Sequence, residues 1–169
     1  MVLDENGFQR LFAAAEGALR PILLLAFDTG MRKEELVALR WEQVDLDAST
    51  IELANEDTKT DEPRIVVLTM RAKEALRALP SRFKKHFVFV NPKTKTRWVD
   101  IKKRFRRAVK AADLDGLWFH DLRRSFITRA RRVGVPESMV MRMSGHRTRT
   151  RGSSDPEGFV RVLLPRLAG

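Results

Sequence analysis

Apolar residues recur along this chain with two different periods, and the alternation between them outlines the elements. Phe8, Leu11, Phe12 and Ala15 fall on one face of a helix that Asp4 can cap and Gly17 breaks. A second helix starts near Pro21, a good first-turn residue, and is apolar almost all round through Phe27, which predicts burial. Thr29-Gly30 ends it, because glycine takes the left-handed conformation at little cost. A third helix follows from about Arg32 to Leu39, and Trp41, Val44 and Leu46 lead out of it. Residues 49–53 and 64–68 carry β-branched side chains and flank a polar stretch, which predicts two strands joined by a long hairpin tip.

Residues 69–79 form an amphipathic helix with Met70, Ala72, Leu76 and Leu79 facing inward, and residues 87–90 form a short strand closed by Asn91-Pro92. Asp100 can cap a helix running to Ala112, in which Ile101, Phe105, Ala108, Val109 and Ala112 share one face. Its other face carries Lys102, Lys103, Arg106, Arg107 and Lys110. A further helix spans about Asp121 to Val133 and stops at Gly134; Pro136 opens a short one ending at Ser144-Gly145. There is no internal repeat. Beyond about Arg149 the pattern changes to a loop-like Gly-Ser-Ser-Asp-Pro-Glu-Gly stretch and an apolar segment interrupted by Pro165. The expected fold class is mainly α with a small antiparallel β-sheet (α+β).

Composition narrows the partners. In 169 residues, 43% hydrophobic content is enough for one core, and the net charge of +11 predicts an anionic partner. Nucleic acid is the commonest, since neutralised phosphates release counterions. The basic residues are spread over several segments rather than along one amphipathic helix, which argues against a membrane surface. With no cysteine there is neither a disulfide framework nor a thiolate metal site. His86, His120 and His146 are too dispersed to read as a zinc motif. The longest apolar run, residues 21–27, is far too short to span a bilayer, and no secretory signal precedes it, so a cytoplasmic protein is expected.

Candidate chemistry sits at the ends of elements, where a rigid scaffold usually builds sites. Arg32 opens the third helix, His120 and Arg123 lie three apart near a helix start, His146 follows Ser144-Gly145, and Lys59 lies in the hairpin tip. Singly, each has an ordinary reading: a solvated helix start, a half-buried histidine beside Trp118 and Phe119, a loop residue, an exposed lysine; the basic helix face reads likewise as a solvated one. Together their types suit one task. Two arginines can neutralise a phosphodiester and its more highly charged transition state, histidine exchanges a proton near neutral pH, and lysine can protonate a departing oxygen.

The ordered segments resemble the tyrosine-recombinase (phage integrase) family. Thr29-Gly30-Met31-Arg32-Lys33-Glu34-Glu35-Leu36 looks like its first box, and Thr58-Lys59-Thr60 with Arg64-Ile65-Val66-Val67-Leu68 is similar to its lysine-bearing hairpin. Phe119-His120-Asp121-Leu122-Arg123-Arg124-Ser125 and Met143-Ser144-Gly145-His146-Arg147 look like its second box and the segment that continues it. The resemblance implies that Arg32 and Arg123 clamp the scissile phosphate, that His120 assists as acid/base, and that Lys59 protonates the 5′ oxygen. It further implies that His146 bonds a phosphate oxygen and that Glu35 supports the first arginine. Lys102, Lys103, Arg106, Arg107, Lys110, Arg124 and Arg147 are the expected DNA contacts. The family needs no metal or cofactor; its partners are double-stranded DNA and other recombinase subunits on that DNA, and a monomer is expected without DNA.

Two departures follow. The family attacks with a tyrosine a few turns after the last histidine, and this sequence contains no tyrosine. Ser153 and Ser154 do not replace it, having the wrong reach and no evident adjacent base. The expected organisation is a catalytic domain over 1–149 lacking its nucleophile, an atypical tail over 150–169 pointing to an altered frame or an engineered terminus, and no N-terminal core-binding domain. The expected function is the DNA-binding catalytic domain of a site-specific recombinase, inactive as written. The alternatives are a non-catalytic regulatory or architectural DNA-binding module and a basic RNA-binding protein. A type IB topoisomerase shares the chemistry, but the Gly-His segment and the small size look more like an integrase.

Overall fold

A computed structural model of the chain describes residues 1–54, 63–83 and 86–145. Seven α-helices and three short strands are present among them: α1 (Glu5–Ala14), α2 (Leu19–Thr29), α3 (Lys33–Ala38), β1 (Val44–Asp45), β2 (Thr50–Leu53), β3 (Arg64–Val67), α4 (Met70–Arg77), α5 (Lys102–Ala111), α6 (Phe119–Arg132) and α7 (Glu137–Ser144). The strands pair antiparallel in the order β1-β2-β3, with Ile51 opposite Val44 on one side and Val66 on the other. The expected α+β class is observed.

α2 is the hub. From Ile22 to Thr29 every residue is buried, and α1, α3, α4 and α6 pack around it. The Phe8 ring stacks on Phe27 with centroids 4.0 Å apart. Asp28, buried within this apolar helix, accepts from the Thr69 hydroxyl at 2.6 Å and from Arg71 Nε at 2.7 Å. Thr69 also caps α4 by accepting from the Ala72 amide, so one buried carboxylate locks α4 onto α2. A smaller cluster of Phe126, Ala130, Val135, Val140 and Met143 joins α6 to α7.

Gly30 terminates α2 at φ 68°, in the left-handed region. A Cβ there would stand 2.5 Å from Phe126 Cδ1, so the position needs glycine for its backbone and for the close approach of α6. Gly30→Ala is therefore expected to destabilise the fold by roughly 2–4 kcal/mol, as left-handed strain plus overpacking, read as a lower urea midpoint at unchanged m-value.

Three local expectations are corrected. Residues 87–90 make only isolated bridges, Arg40 with Phe87 and Val90 with Arg97, because each end finds a single backbone partner. Met70 is 65% exposed, since it is the first residue of α4 and faces out, whereas Ala72 and Leu76 face in. α6 starts two residues earlier than the apolar pattern suggests, so His120 lies inside its first turn. The hairpin tip and the segment from residue 146 onward, including Lys59, His146, Arg147 and the tail, lie outside the described residues. Among the described residues no helix is long and apolar enough to cross a membrane.

Candidate active site

Local sequence sets the first arginine. After the left-handed turn at Gly30, Met31 is buried and Arg32 becomes the extended residue preceding α3. Glu35, in the first turn, folds back and accepts from the Arg32 amide at 2.8 Å, half of a capping box and favourable at a helix N-terminus. Its other oxygen accepts from Arg32 Nη1 at 3.0 Å. Arg32 Nη2 reaches across the molecule to the Gly145 carbonyl at 2.8 Å, at the end of α7 and just before His146.

The second arginine arrives from α6. Its Nη1 donates to the Gly30 carbonyl at 2.9 Å, two residues before Arg32. Arg123 is only 3% exposed. Burial first, and then the positive charges of Arg32 and Arg64, pull its pKa down to about 10, against the pull of Glu35. The guanidinium remains protonated at neutral pH, with Arg32 and Arg64 opposing its charge and Glu35 favouring it. His120, three residues earlier on the same helix, is exposed at the rim. Arg32 and Glu35 thus share one neighbourhood with His120 and Arg123, which lie far from them in the chain.

The site holds a residue to which sequence reasoning assigned no role. Arg64, the first residue of β3, donates to Glu35 Oε2 at 2.5 Å and to the Met143 carbonyl at 3.0 Å. Its one signal was an arginine opening an otherwise apolar strand. Arg124, whose side chain is 61% exposed, stands beside Asp121 at 3.5 Å. On α5, Lys102, Lys103, Arg106, Arg107 and Lys110 are all exposed and line a shallow groove with Asp100, while Phe105, Ala108 and Val109 face the core. Among the described residues, no group of three or more His, Cys, Asp or Glu side chains is placed to hold a metal ion.

With this geometry in hand, comparison with known proteins decides the family: the model of the phage integrase family matches residues 1–151. The chain belongs to the phage integrase family. It is 32% identical over 147 residues to the shufflon-specific DNA recombinase of Escherichia coli, covering 86% of this chain and 36% of that protein. It is 30% identical over 154 residues to the prophage integrase IntF of Escherichia coli strain K12, covering 86% and 32%. The chain thus spans about a third of the length of these two relatives. In three dimensions it is similar to the XerA recombinase, with a TM-score of 0.75, 26% identity, and coverage of 88% of this chain and 57% of that one. It shares its fold with the lambda integrase catalytic core, at a TM-score of 0.70 and 21% identity, covering 90% and 95%. The fold is that of a tyrosine-recombinase catalytic domain.

Within this integrase-family site, His120 has a distinctive electrostatic setting. Burial of its ring, and then the charges of Arg123 and Arg124, hold its pKa below the ordinary value, against the opposite pull of Asp121. The folded state therefore binds fewer protons than the unfolded chain in the window just under the usual histidine pKa of about 6.5. Stability from this group is present above that window and is lost as pH falls through it. The expected result is an imidazole Cε1 proton titrating below the free-histidine value by NMR, with a fall in melting temperature over the same interval that His120→Gln reduces.

Proposed function

We propose that this chain is the phosphodiester-binding catalytic domain of a site-specific DNA recombinase that engages duplex DNA but, lacking tyrosine, does not cut it. In this reading Arg32 and Arg123 receive the non-bridging oxygens of one phosphate. Neutral His120 exchanges a proton beside them, and Glu35 holds Arg32 in place. Lys59 and His146 complete the set, and the basic face of α5 with Arg124 and Arg147 follows the flanking backbone. The observation that carries the reading is the meeting of Arg32 and Arg123 at the turn after α2, close enough for each charge to act on the other. A phosphate offers negative charge to both guanidiniums, and its pentacoordinate transition state offers more.

The proposed domain limits are 1–149 for the catalytic unit and 150–169 for a divergent tail. The shufflon-specific DNA recombinase, by its name, recombines DNA, XerA is a recombinase, and lambda integrase is described as a dimer bound to a core site and as a tetramer bound to a Holliday junction. By analogy, other recombinase subunits join this chain on DNA, and the free chain is a monomer.

A nicked suicide duplex tests the proposal. The chain should shift its mobility without forming a covalent adduct, and the shift should collapse with rising salt. Replacing residues 150–159 by a family helix that includes Asp155→Tyr should then give a covalent 3′-phosphotyrosyl adduct. Unchanged duplex binding with no adduct from that variant favours the non-catalytic DNA-binding module. Stronger binding to single-stranded RNA than to duplex DNA at equal salt overturns both readings.

A further inference from the structure

β3, which carries Arg64, follows Lys59 in the chain, and the Arg64 guanidinium is spent elsewhere. One arm donates to Glu35 Oε2 and another, through Nε, to the Met143 carbonyl at the end of α7. The Arg64 side chain is 6% exposed and the Glu35 side chain 2%. Its third arm, Nη1, is buried with no hydrogen-bond partner among the described residues and lies 2.9 Å from where a Cβ on Gly145 would stand. Arg32 Nη1 lies 3.3 Å from that same point. Two guanidiniums thus flank Gly145 and share one carboxylate, Glu35, with Arg32 also bonded to the Gly145 carbonyl.

For stability alone this is a poor arrangement. An interior cation with an unsatisfied donor beside a second cation is costlier than an apolar side chain of the same volume. Its geometry, however, spans three elements: α3, which Arg32 precedes, β3, and the end of α7. A planar fork can fix three elements relative to one another, and a lysine cannot.

We propose that Arg64 is a positioning residue for the phosphate pocket: it holds Glu35, and through it Arg32, in register with the Met143–Gly145 turn. The inference rests on the phosphate-binding reading above. Arg64 touches no substrate in this role; it acts by restricting the Arg32 guanidinium, so that no ordering cost remains when a phosphate arrives.

The test compares Arg64→Lys in the otherwise unaltered chain and in an Arg32→Ala background, with a fluorescently labelled duplex as the probe. Side-chain nitrogen NMR of the Arg32 guanidinium provides the second measurement. If Arg64 positions Arg32, Arg64→Lys moves the Arg32 Nε signal to the position of a freely rotating arginine. Duplex affinity then falls about tenfold, in line with loss of a preorganised charge-assisted contact. In the Arg32→Ala background the same change costs less than about twofold, because the two residues act through one path. Equal losses in both backgrounds, with a lowered melting temperature, mark a structural residue and overturn the inference. So does an unmoved Arg32 signal. If Arg32→Ala alone leaves duplex affinity unchanged, the phosphate-binding reading fails, and the NMR measurement still decides whether Arg64 holds Arg32. Arg64→Gln, which keeps a donor for the Met143 carbonyl, replaces Arg64→Lys if that variant does not fold.

Discussion

Arg123→Met should weaken binding to duplex DNA by roughly 10- to 100-fold, the worth of a charge-assisted phosphate contact of about 1.5–3 kcal/mol. The slope of log affinity against log salt should fall by about one. Methionine keeps most of the volume, so the packing of α6 on α2 survives. The Gly30 carbonyl loses its donor, at a cost of about 1–3 kcal/mol. Against that, a buried cation disfavoured by burial and by its neighbours Arg32 and Arg64 has been removed. The two effects oppose each other, and net stability should move by less than about 2 kcal/mol. Arg123→Lys keeps the charge without the fork and should fall between. Anisotropy titrations over a range of sodium chloride concentrations, with calorimetry of the free proteins, check this. Unaltered affinity and salt slope alongside a large drop in melting temperature would make Arg123 a structural arginine.

Glu35→Ala should produce the largest loss of stability of any single change in the site. The carboxylate is 5% exposed and accepts from the Arg32 amide, from Arg32 Nη1 and from Arg64 Nη2. Removing it leaves two guanidiniums facing each other beside Arg123 with their shared counter-charge gone. Breaking a buried pair in this way costs about 3–5 kcal/mol, or roughly 10 °C in melting temperature for a chain of this size. Glu35→Gln retains one acceptor oxygen and the side-chain shape and should lose less. Because the defect is uncompensated positive charge, inorganic phosphate should raise the melting temperature of Glu35→Ala more than that of the unaltered protein. An equal phosphate response in the two proteins would show that the anion binds elsewhere.

These outcomes separate what one part of the site does from another. Arg123 sits under burial and repulsion and is expected to matter for the ligand more than for the fold. Glu35 is expected to matter for the fold first and for the ligand through it. Arg64 belongs with Glu35, since the two share a bond and are both almost wholly enclosed. Asp28 and Arg71 repeat the motif away from the site, with Arg71 Nη2 on Asp28 Oδ1 at 2.5 Å and the Arg71 pKa raised, above all by that hydrogen bond. That pair holds α4 to α2.

Much of this molecule is written locally in its sequence. The apolar spacing in α1, α2, α5 and α6, the glycine stops at Gly30 and Gly145, the cap at Asp4 and the paired strands all appear where short-range patterns place them. So do Arg32, His120 and Arg123 as candidates, because their positions at element ends follow from the same patterns; Glu35 entered only through the family resemblance. Tertiary structure alone decided who meets whom. Arg64 and Met143 are 79 residues apart, Arg123 and Gly30 are 93 apart, and Arg32 and Gly145 are 113 apart. Periodicity reports which face of a helix or strand is apolar; it carries no information about which polar group from another element will be packed against it. The burial of Arg123 and the partnership of Arg64 are products of that packing, and both are invisible until α3, α6, α7 and β3 close around the turn at Gly30.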